Sequence, residues 1–197
     1  MRHMSIVRAE PAEAGCIADT IADAFQHLGV FVWLVPPRSE RRRILRDHCQ
    51  ILVEHALSYG EVHVTDDRTA VAVWFARDGR PLPPPDDYDQ RLSSACGRWT
   101  DRFQLVDRLL DAHRPWQPHH YLASLAVRPE RQGEGLGSAL LRHYHAQLDA
   151  DGTPAYLEAS SPPSRDLYAR HGYRPGEPFA VPDGAPYWPM WREPTPL

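Results

Sequence analysis

Val127-Arg-Pro-Glu-Arg-Gln-Gly-Glu-Gly-Leu-Gly-Ser138 is the stretch that decides the fold. It follows an apolar run, Tyr121–Val127, that predicts a buried strand, and Pro129 ends the pairing of that strand because proline has no backbone N–H. Three glycines then alternate with other residues, so several backbone N–H groups can converge on an anion where the next helix begins. The stretch predicts a strand, a sharp turn and a helix N-terminus that bind a pyrophosphate.

Two other phosphate-binding signatures do not fit this stretch. A P-loop needs a lysine after its last glycine, and the chain contains no lysine. A dinucleotide fingerprint needs Gly-x-Gly-x-x-Gly, but the spacing from Gly133 and Gly135 puts Ser138 at the last position. Gln132-x-x-Gly135-x-Gly137 after a strand ending in Leu-Ala-Val resembles instead the acyl-CoA signature of the GNAT N-acetyltransferase superfamily. The alternative is a glycine-rich turn without a ligand.

A second resemblance to the GNAT superfamily lies downstream of this turn. Pro154-Ala-Tyr-Leu-Glu158 predicts a buried strand, and a short helix carrying Tyr168 and closed by Gly172 follows it, as in GNAT enzymes. Within the superfamily the chain is similar to puromycin N-acetyltransferase-like enzymes, through Ala112-His-Arg-Pro115 and the Gly-Leu-Gly-Ser of the turn. Weaker similarity extends toward the N-terminus, so the resemblance covers most of the chain.

Composition limits the class of protein. At 197 residues the chain suits one domain with a sizeable core, and no apolar run approaches the roughly 20 residues that span a bilayer. The formal net charge of -4 argues against a nucleic-acid partner, which calls for a basic face. We expect a cytoplasmic protein with no membrane partner, made of a single domain over residues 1–197 in which residues 1–3 are a tag remnant.

Cysteine and histidine patterns give no sign of a metal. The three cysteines are far apart without a Cys-x-x-Cys pair, and the histidines show no His-Glu-x-x-His or similar ligand spacing. The sequence therefore predicts no metal cofactor, no zinc site and no disulfide framework.

The pattern of elements predicts a mixed α/β sheet. Strands alternate with helices and the chain ends in a hairpin, and the resemblance implies a GNAT fold of about seven strands flanked by helices. A proline-rich linker over residues 78–86 and one helix from Tyr88 to about Ala112 intrude between the third and fourth strands. From their position we expect them to cover the acceptor site.

The resemblance also implies which residues bind acetyl-CoA, the co-substrate of GNAT enzymes. In that family the fourth strand splays from the fifth, and its unpaired backbone groups bind the pantetheine arm. The Leu125 N–H is the expected oxyanion donor, and Ser164 stands where many members have an asparagine that contacts the same arm. The residues assigned to acetyl-CoA in this way are Leu125, Ala126, Val127, Gln132, Gly133, Glu134, Gly135, Leu136, Gly137, Ser138 and Ser164.

Acetyl transfer to an amine needs an oxyanion stabiliser, a proton for the departing thiolate and a neutral amine. Tyr168 matches the family tyrosine whose hydroxyl reaches the CoA sulfur, and a phenol of pKa about 10 can protonate a thiolate; the alternative is a packing tyrosine. For the base, many relatives carry Glu or His where this chain has Tyr121, and Glu158 on the next strand is the first alternative. A third possibility is that the amine arrives neutral.

The leading hypothesis is an acetyl-CoA-dependent N-acetyltransferase for the primary amine of a small molecule. The puromycin resemblance implies an antibiotic or a biosynthetic intermediate as acceptor and self-resistance as the role, and GNAT relatives imply a possible homodimer. A peptide or protein N-acetyltransferase is the second hypothesis within enzymes. The hypothesis from a different class is a CoA-binding sensor that has lost turnover.

Overall fold

The computed structural model describes residues 5–182 and 184–196. The tag remnant proposed at residues 1–3 lies outside them. The helices are α1 (Ala14–Phe25), α2 (Gly29–Leu34), α3 (Arg38–Tyr59), α4 (Tyr88–Cys96), α5 (Thr100–His113), α6 (Leu136–Ala150) and α7 (Pro162–Arg170). The strands are β1 (Ile6–Arg8), β2 (Glu61–Thr65), β3 (Ala70–Arg77), β4 (His119–Val127), β5 (Ala155–Ala159), β6 (Arg174–Pro175), β7 (Phe179–Ala180) and β8 (Pro186–Arg192).

The strands form one mixed sheet in the order β1-β2-β3-β4-β5-β8-β6, and β7 pairs with β8. Every pair is antiparallel except β4 and β5, which run parallel. The run Ala70–Phe75 of β3 is buried throughout because β3 lies between β2 and β4 with helices on both faces. The predicted mixed α/β sheet is confirmed, with eight strands in the described part of the chain.

Two layers of helices cover the sheet. On one face the α1 and α3 side chains Ile17 and Val53 pack with Val73 of β3 in one apolar cluster. On the other face Leu140 and Leu141 of α6 pack with sheet residues and with α7. Burial of apolar side chains on both faces stabilises the central strands, since each fully buried aliphatic side chain contributes roughly 1.5–3 kcal/mol.

A third apolar cluster lies beside the sheet and joins segments that are distant in the sequence. Val30 of α2, Leu45 of α3, Leu92 of α4 and Phe103 of α5 meet in it, together with Tyr187 at the end of the sheet. The inserted segment, residues 78–118 between β3 and β4, is therefore anchored on α2, α3 and the C-terminal hairpin. Its position brings it to the end of β4, as described below.

The inserted segment differs from the single helix predicted between the third and fourth strands. Gly97 has φ +53° and begins a short 3-10 turn, Gly97–Trp99, that separates α4 from α5. A positive φ is accessible to glycine without steric cost, so the glycine lets the chain change direction between the two helices. The expectation of one helix is therefore wrong, and two helices follow the proline-rich linker.

Candidate active site

β4 and β5 separate along their length and leave a gap between them. The two strands are paired only at His120 with Ala155 and Tyr121 with Tyr156. β4 then continues to Val127 on β3 alone, while β5 continues to Ala159 on β8. Beyond Tyr121, the edge of β4 that faces β5 has no strand partner among the described residues.

The register of β3 and β4 determines which backbone groups of β4 face this gap. The Arg128 N–H donates to the Thr69 carbonyl at 2.8 Å, which makes that pair a hydrogen-bonded one. Antiparallel pairs alternate, so Ala126 opposite Val71 also bonds to β3, whereas Leu125 and Val127 direct their N–H and C=O groups away from it. Leu125 and Val127 therefore face the gap. Ala126 does not, so its assignment to the pantetheine arm through backbone groups conflicts with the register.

A bulge in β4 changes the register with β3 before the strand reaches Leu125 and Val127. The register with β3 changes between Val73, which pairs with Ser124, and Trp74, which pairs with Leu122, so Ala123 is the extra residue. A bulge bends a strand and places two successive residues on the same face. The bend lies where β4 leaves β5, and it accounts for the direction of the gap.

The glycine-rich turn presents unbonded N–H groups beside the same gap. Gly133 and Gly135 have φ +84° and +81°, and Gly135 is the N-cap of α6. Within residues 5–182 and 184–196 no acceptor is present for the backbone N–H groups of residues 133–138, and the first bond of the helix runs from Ala139 N–H to Gly135 O. These N–H groups and the helix dipole attract an anion.

Side chains hold this turn in place. Gln132 Nε2 donates to the Val127 carbonyl at 3.0 Å, and the Arg131 guanidinium bonds Glu134 at 2.9 Å and Asp67 at 2.5 Å. A Cβ at Gly137 would lie 3.7 Å from side-chain carbons of Leu125 and Val127, so that residue packs α6 on β4. An acyl-CoA pyrophosphate fits this N–H cradle, and the turn residues would hold it through their backbone. Gln132 and Glu134 shape the turn by their side chains.

Two further hydroxyls near the turn are engaged within the protein. Ser138 Oγ lies 2.9 Å from His171 Nε2 at the end of α7. Ser161 is the N-cap of α7, and the Ser164 hydroxyl closes a capping box by accepting from the Ser161 N–H at 3.2 Å and donating to the Ser161 carbonyl at 2.9 Å. The Ser164 hydroxyl therefore stabilises the start of α7, and contact with a CoA arm stays a prediction.

Tyr168 lies on α7 in the apolar cluster that also contains Leu125 and Leu167. Its ring is buried and meets Tyr173 edge-on, with 5.8 Å between the ring centroids. Burial raises the pKa of the Tyr168 phenol above its usual value, so the hydroxyl keeps its proton at neutral pH. The structure thus provides a protonated phenol on the helix next to the β4–β5 gap.

Tyr121 and Glu158 occupy the closed end of the gap, where β4 and β5 are still paired. Tyr121 is buried, and the centroid of its ring lies 6.1 Å from that of Tyr156. Burial raises the pKa of Glu158, while the Tyr121 and Tyr156 phenols and the charge of Arg114 act in the opposite direction. Glu158 Oε1 is shielded from solvent and has no hydrogen-bond partner in the described part of the chain. A buried carboxyl group whose pKa is raised is a candidate for proton transfer.

Two arginines that the sequence analysis did not single out flank Tyr121. The Arg114 and Arg77 guanidinium carbons lie 5.1 and 5.8 Å from the centroid of the Tyr121 ring. Arg114 belongs to the Ala-His-Arg-Pro sequence that carries part of the resemblance, whereas Arg77 ends an apolar strand and gives no local signal. The register opposite His119 brings Arg77 to this end of β4.

The described residues contain no group of three or more His, Cys, Asp or Glu side chains arranged to hold a metal ion. Over the same residues, none of the helices combines the length and the apolar composition of a membrane-spanning segment.

The comparisons with known proteins agree with this geometry. Residues 85–173 match the profile of the acetyltransferase (GNAT) family, and this range covers α4, α5, β4, the glycine-rich turn, α6, β5 and α7. Enzymes of this family use acetyl-CoA as co-substrate.

Solved structures are similar over nearly the whole chain. A structure from Corynebacterium glutamicum, described as histone acetyltransferase HPA2 and related acetyltransferase, is 27% identical with a TM-score of 0.74 and 98% of both chains covered. The Drosophila melanogaster polyamine N-acetyltransferase is 13% identical with a TM-score of 0.65, covering 97% of this chain and 100% of the other.

Arylalkylamine N-acetyltransferase 2 from Aedes aegypti is 11% identical with a TM-score of 0.66, covering 98% of this chain and 100% of the other. At these identities the two insect enzymes establish the likeness of fold alone. Together with the family match over residues 85–173 and the split between β4 and β5, they show that the chain has the fold of the GNAT acetyltransferases.

Proposed function

We propose that this protein transfers the acetyl group of acetyl-CoA to the primary amine of a small molecule. The observation that carries the proposal is the gap between β4 and β5, with the Leu125 and Val127 backbone groups facing it and the N–H cradle of the glycine-rich turn beside it. The acceptor would be an antibiotic or a biosynthetic intermediate, as in the puromycin-type relatives that the sequence resembles. The proposed place of the reaction is the cytoplasm.

In the proposed mechanism the protein orients two substrates and moves protons between them. The turn residues 133–138 hold the pyrophosphate, and the Val127 and Leu125 backbone groups hold the pantetheine arm. The Leu125 N–H donates a hydrogen bond to the thioester oxygen, where negative charge develops as the amine nitrogen attacks the carbonyl carbon. A preorganised donor of this kind contributes about 2.7–4 kcal/mol to catalysis.

Proton transfer completes the reaction. The carbon–sulfur bond breaks as the new carbon–nitrogen bond forms, and the Tyr168 hydroxyl gives its proton to the CoA sulfur. Glu158 takes a proton from the attacking amine, directly or through a water, and Tyr121 is the alternative base. The raised pKa of Glu158 favours this assignment, because a base works best when its pKa lies near the working pH.

The test is thiol release from acetyl-CoA with a panel of amines that includes puromycin, other aminonucleosides, aminoglycosides, amino acids and short peptides. The matched control is Tyr168→Phe, which removes only the hydroxyl. We expect turnover on one class of small amine that depends on the Tyr168 hydroxyl. Turnover on peptides alone would favour the hypothesis of a protein N-acetyltransferase. Such an enzyme needs an open acceptor groove, and α4 and α5 pack beside the site where that groove would lie.

Two observations support the sensor hypothesis. The Ser164 hydroxyl is used within the capping box of α7, and Tyr121 stands where relatives carry a carboxylate or histidine. Tight binding of acetyl-CoA without thiol release on any member of the panel is the result that this hypothesis requires. Size-exclusion chromatography of the same sample tests the proposed homodimer.

A further inference from the structure

Arg77 and Arg114 form a cationic pair around Tyr121, next to the closed end of the β4–β5 gap. Both guanidinium carbons lie within 6 Å of the ring centroid, at 5.8 and 5.1 Å. Arg77 is the last residue of β3, and Arg114 directly follows α5. Two elements that are far apart in the sequence therefore bring two like charges to one buried aromatic ring.

The inserted segment holds Arg114 at this place. The Tyr156 hydroxyl donates to the His113 carbonyl at 3.3 Å, which ties the end of α5 to β5. The His113 ring also stacks on Phe179 of β7, with 3.8 Å between the ring centroids. Arg114 is thus fixed to the strand that carries Glu158, and its position is not that of a freely moving surface arginine.

Each arginine of the pair has an Nε–H donor that is shielded from solvent. The Nε atoms of Arg77 and Arg114 are both shielded from solvent and have no hydrogen-bond partner among the residues that the structure describes. Arg114 Nη1 bonds Asp111 at 2.6 Å, but Asp111 is an exposed residue. A buried donor without a partner costs about 1–3 kcal/mol, so such groups indicate a missing acceptor.

The two arginines face one shielded carboxyl group, that of Glu158, and one exposed carboxylate, that of Asp111. Solvent screens the charge of Asp111, so it offsets the positive charge beside the gap only weakly. Burial and the charge of Arg114 lower the pKa of Arg77, as expected for a cation that needs a further anion. Glu158 is already assigned to the amine of the acceptor. An acceptor for the two shielded Nε donors must therefore come from elsewhere.

We propose that Arg77 and Arg114 bind a carboxylate of the acceptor, placed beside its amine. The inference rests on the proposed function and names its acceptor class: an amino acid or a molecule with an amino-acid-like end. Glu158 faces the ammonium group and the arginine pair faces the carboxylate, which arginine recognises through its forked N–H groups. An acceptor with a second cation in place of the carboxylate would be repelled here. Agmatine, which the Drosophila enzyme acetylates, is such an acceptor.

The experiment compares amino acids with the amines that they give on decarboxylation. Thiol release from acetyl-CoA is measured with phenylalanine against phenethylamine and with arginine against agmatine, for the wild-type protein, Arg77→Gln and Arg114→Gln. We expect the wild type to prefer each acid by at least about tenfold in kcat/KM. Each substitution should abolish most of this preference by raising KM for the acid, with little change for the amine.

Control variants distinguish failure of this inference from failure of the proposed function. Arg98→Gln is the matched control, because Arg98 also lies over an aromatic ring, 4.9 Å from the Trp99 centroid, but is exposed and pairs with Glu40. Arg114→Lys, with thermal melting of every variant, keeps the test valid if a glutamine variant fails to fold. Equal losses for acid and amine would overturn the inference and leave the proposed function intact. Absence of thiol release with every acceptor would overturn both.

Discussion

The two sides of the β4–β5 gap are built from different kinds of sequence. The side assigned to acetyl-CoA uses a continuous stretch from β4 through the glycine-rich turn into α6, followed by β5 and α7. The side assigned to the acceptor gathers Arg77 from β3, Arg114 from the end of α5 and the hairpin residue Phe179. Backbone groups dominate the first side and side chains the second. The proposed acetyl-CoA site therefore depends on local backbone geometry, and the proposed acceptor site depends on long-range packing.

The largest expected effect tests the side that binds acetyl-CoA. If Tyr168 gives its proton to the CoA sulfur, Tyr168→Phe should lower kcat by about 100-fold, within the range for one general acid. The affinity for acetyl-CoA should change little, because the ring and its packing against Tyr173 are retained. Steady-state kinetics with the best acceptor and calorimetric binding of acetyl-CoA measure the two quantities.

Tyr173→Phe is a suitable control for this prediction, because it removes a neighbouring buried phenol. The Tyr173 hydroxyl bonds His145 at 3.0 Å, on the side of α6, so its loss should reduce stability more than turnover. A Tyr168→Phe variant with normal kcat would show that Tyr168 is a packing residue. The thiolate would then take its proton from solvent.

The next largest loss of activity is expected at Glu158, where the two sides of the gap meet. Glu158→Gln should lower kcat/KM about tenfold at neutral pH and remove the fall in rate on the acidic side of the pH profile. That fall should lie above the usual range for a glutamate, since burial raises the pKa of Glu158. A pH–rate profile of both proteins provides the measurement, and Tyr121→Phe tests the alternative base. An unchanged profile in Glu158→Gln would exclude Glu158 as the base.

Glu158→Gln should lower activity but raise the stability of the fold at neutral pH. Because the pKa of Glu158 is higher in the folded than in the unfolded state, the folded protein holds the proton more tightly, and stability falls as pH rises from the unfolded to the folded pKa. Above that window the buried carboxylate destabilises the fold. Glu158→Gln should therefore melt at a higher temperature than the wild type at neutral pH and show no difference near pH 4. Loss of stability at neutral pH would mean that the charge is compensated.

Most of the fold and the backbone part of the site are predictable from the sequence, for a physical reason. Glycine spacing, Pro129 and the apolar run of β4 act on the conformation of their own neighbours, so a linear pattern describes them. The break at Gly97 was missed because an isolated glycine is tolerated within a helical pattern, and only packing on α3 decides the bend.

Two further features of the site depend on pairing between strands. The sequence places Ala126 between Leu125 and Val127, but the register with β3 decides that its backbone groups face away from the gap. Arg77 ends an apolar strand and has no pattern of its own, and its role depends on a residue of β4 opposite it. Long-range register of this kind is absent from local patterns.

The smallest expected effect separates two glycines within the turn. Gly135 has φ +81°, so Gly135→Ala should cost roughly 1–2 kcal/mol of stability and weaken acetyl-CoA binding several-fold by displacing the N–H cradle. Gly137 lies inside α6, and an added Cβ would make ordinary contacts at 3.7 Å, so Gly137→Ala should not lower stability and can raise it by up to about 1 kcal/mol. Thermal melting and acetyl-CoA titration of both variants provide the comparison. No loss of stability in Gly135→Ala would show that the turn is held by its side-chain bonds to Val127 and Asp67, and not by the conformation of Gly135.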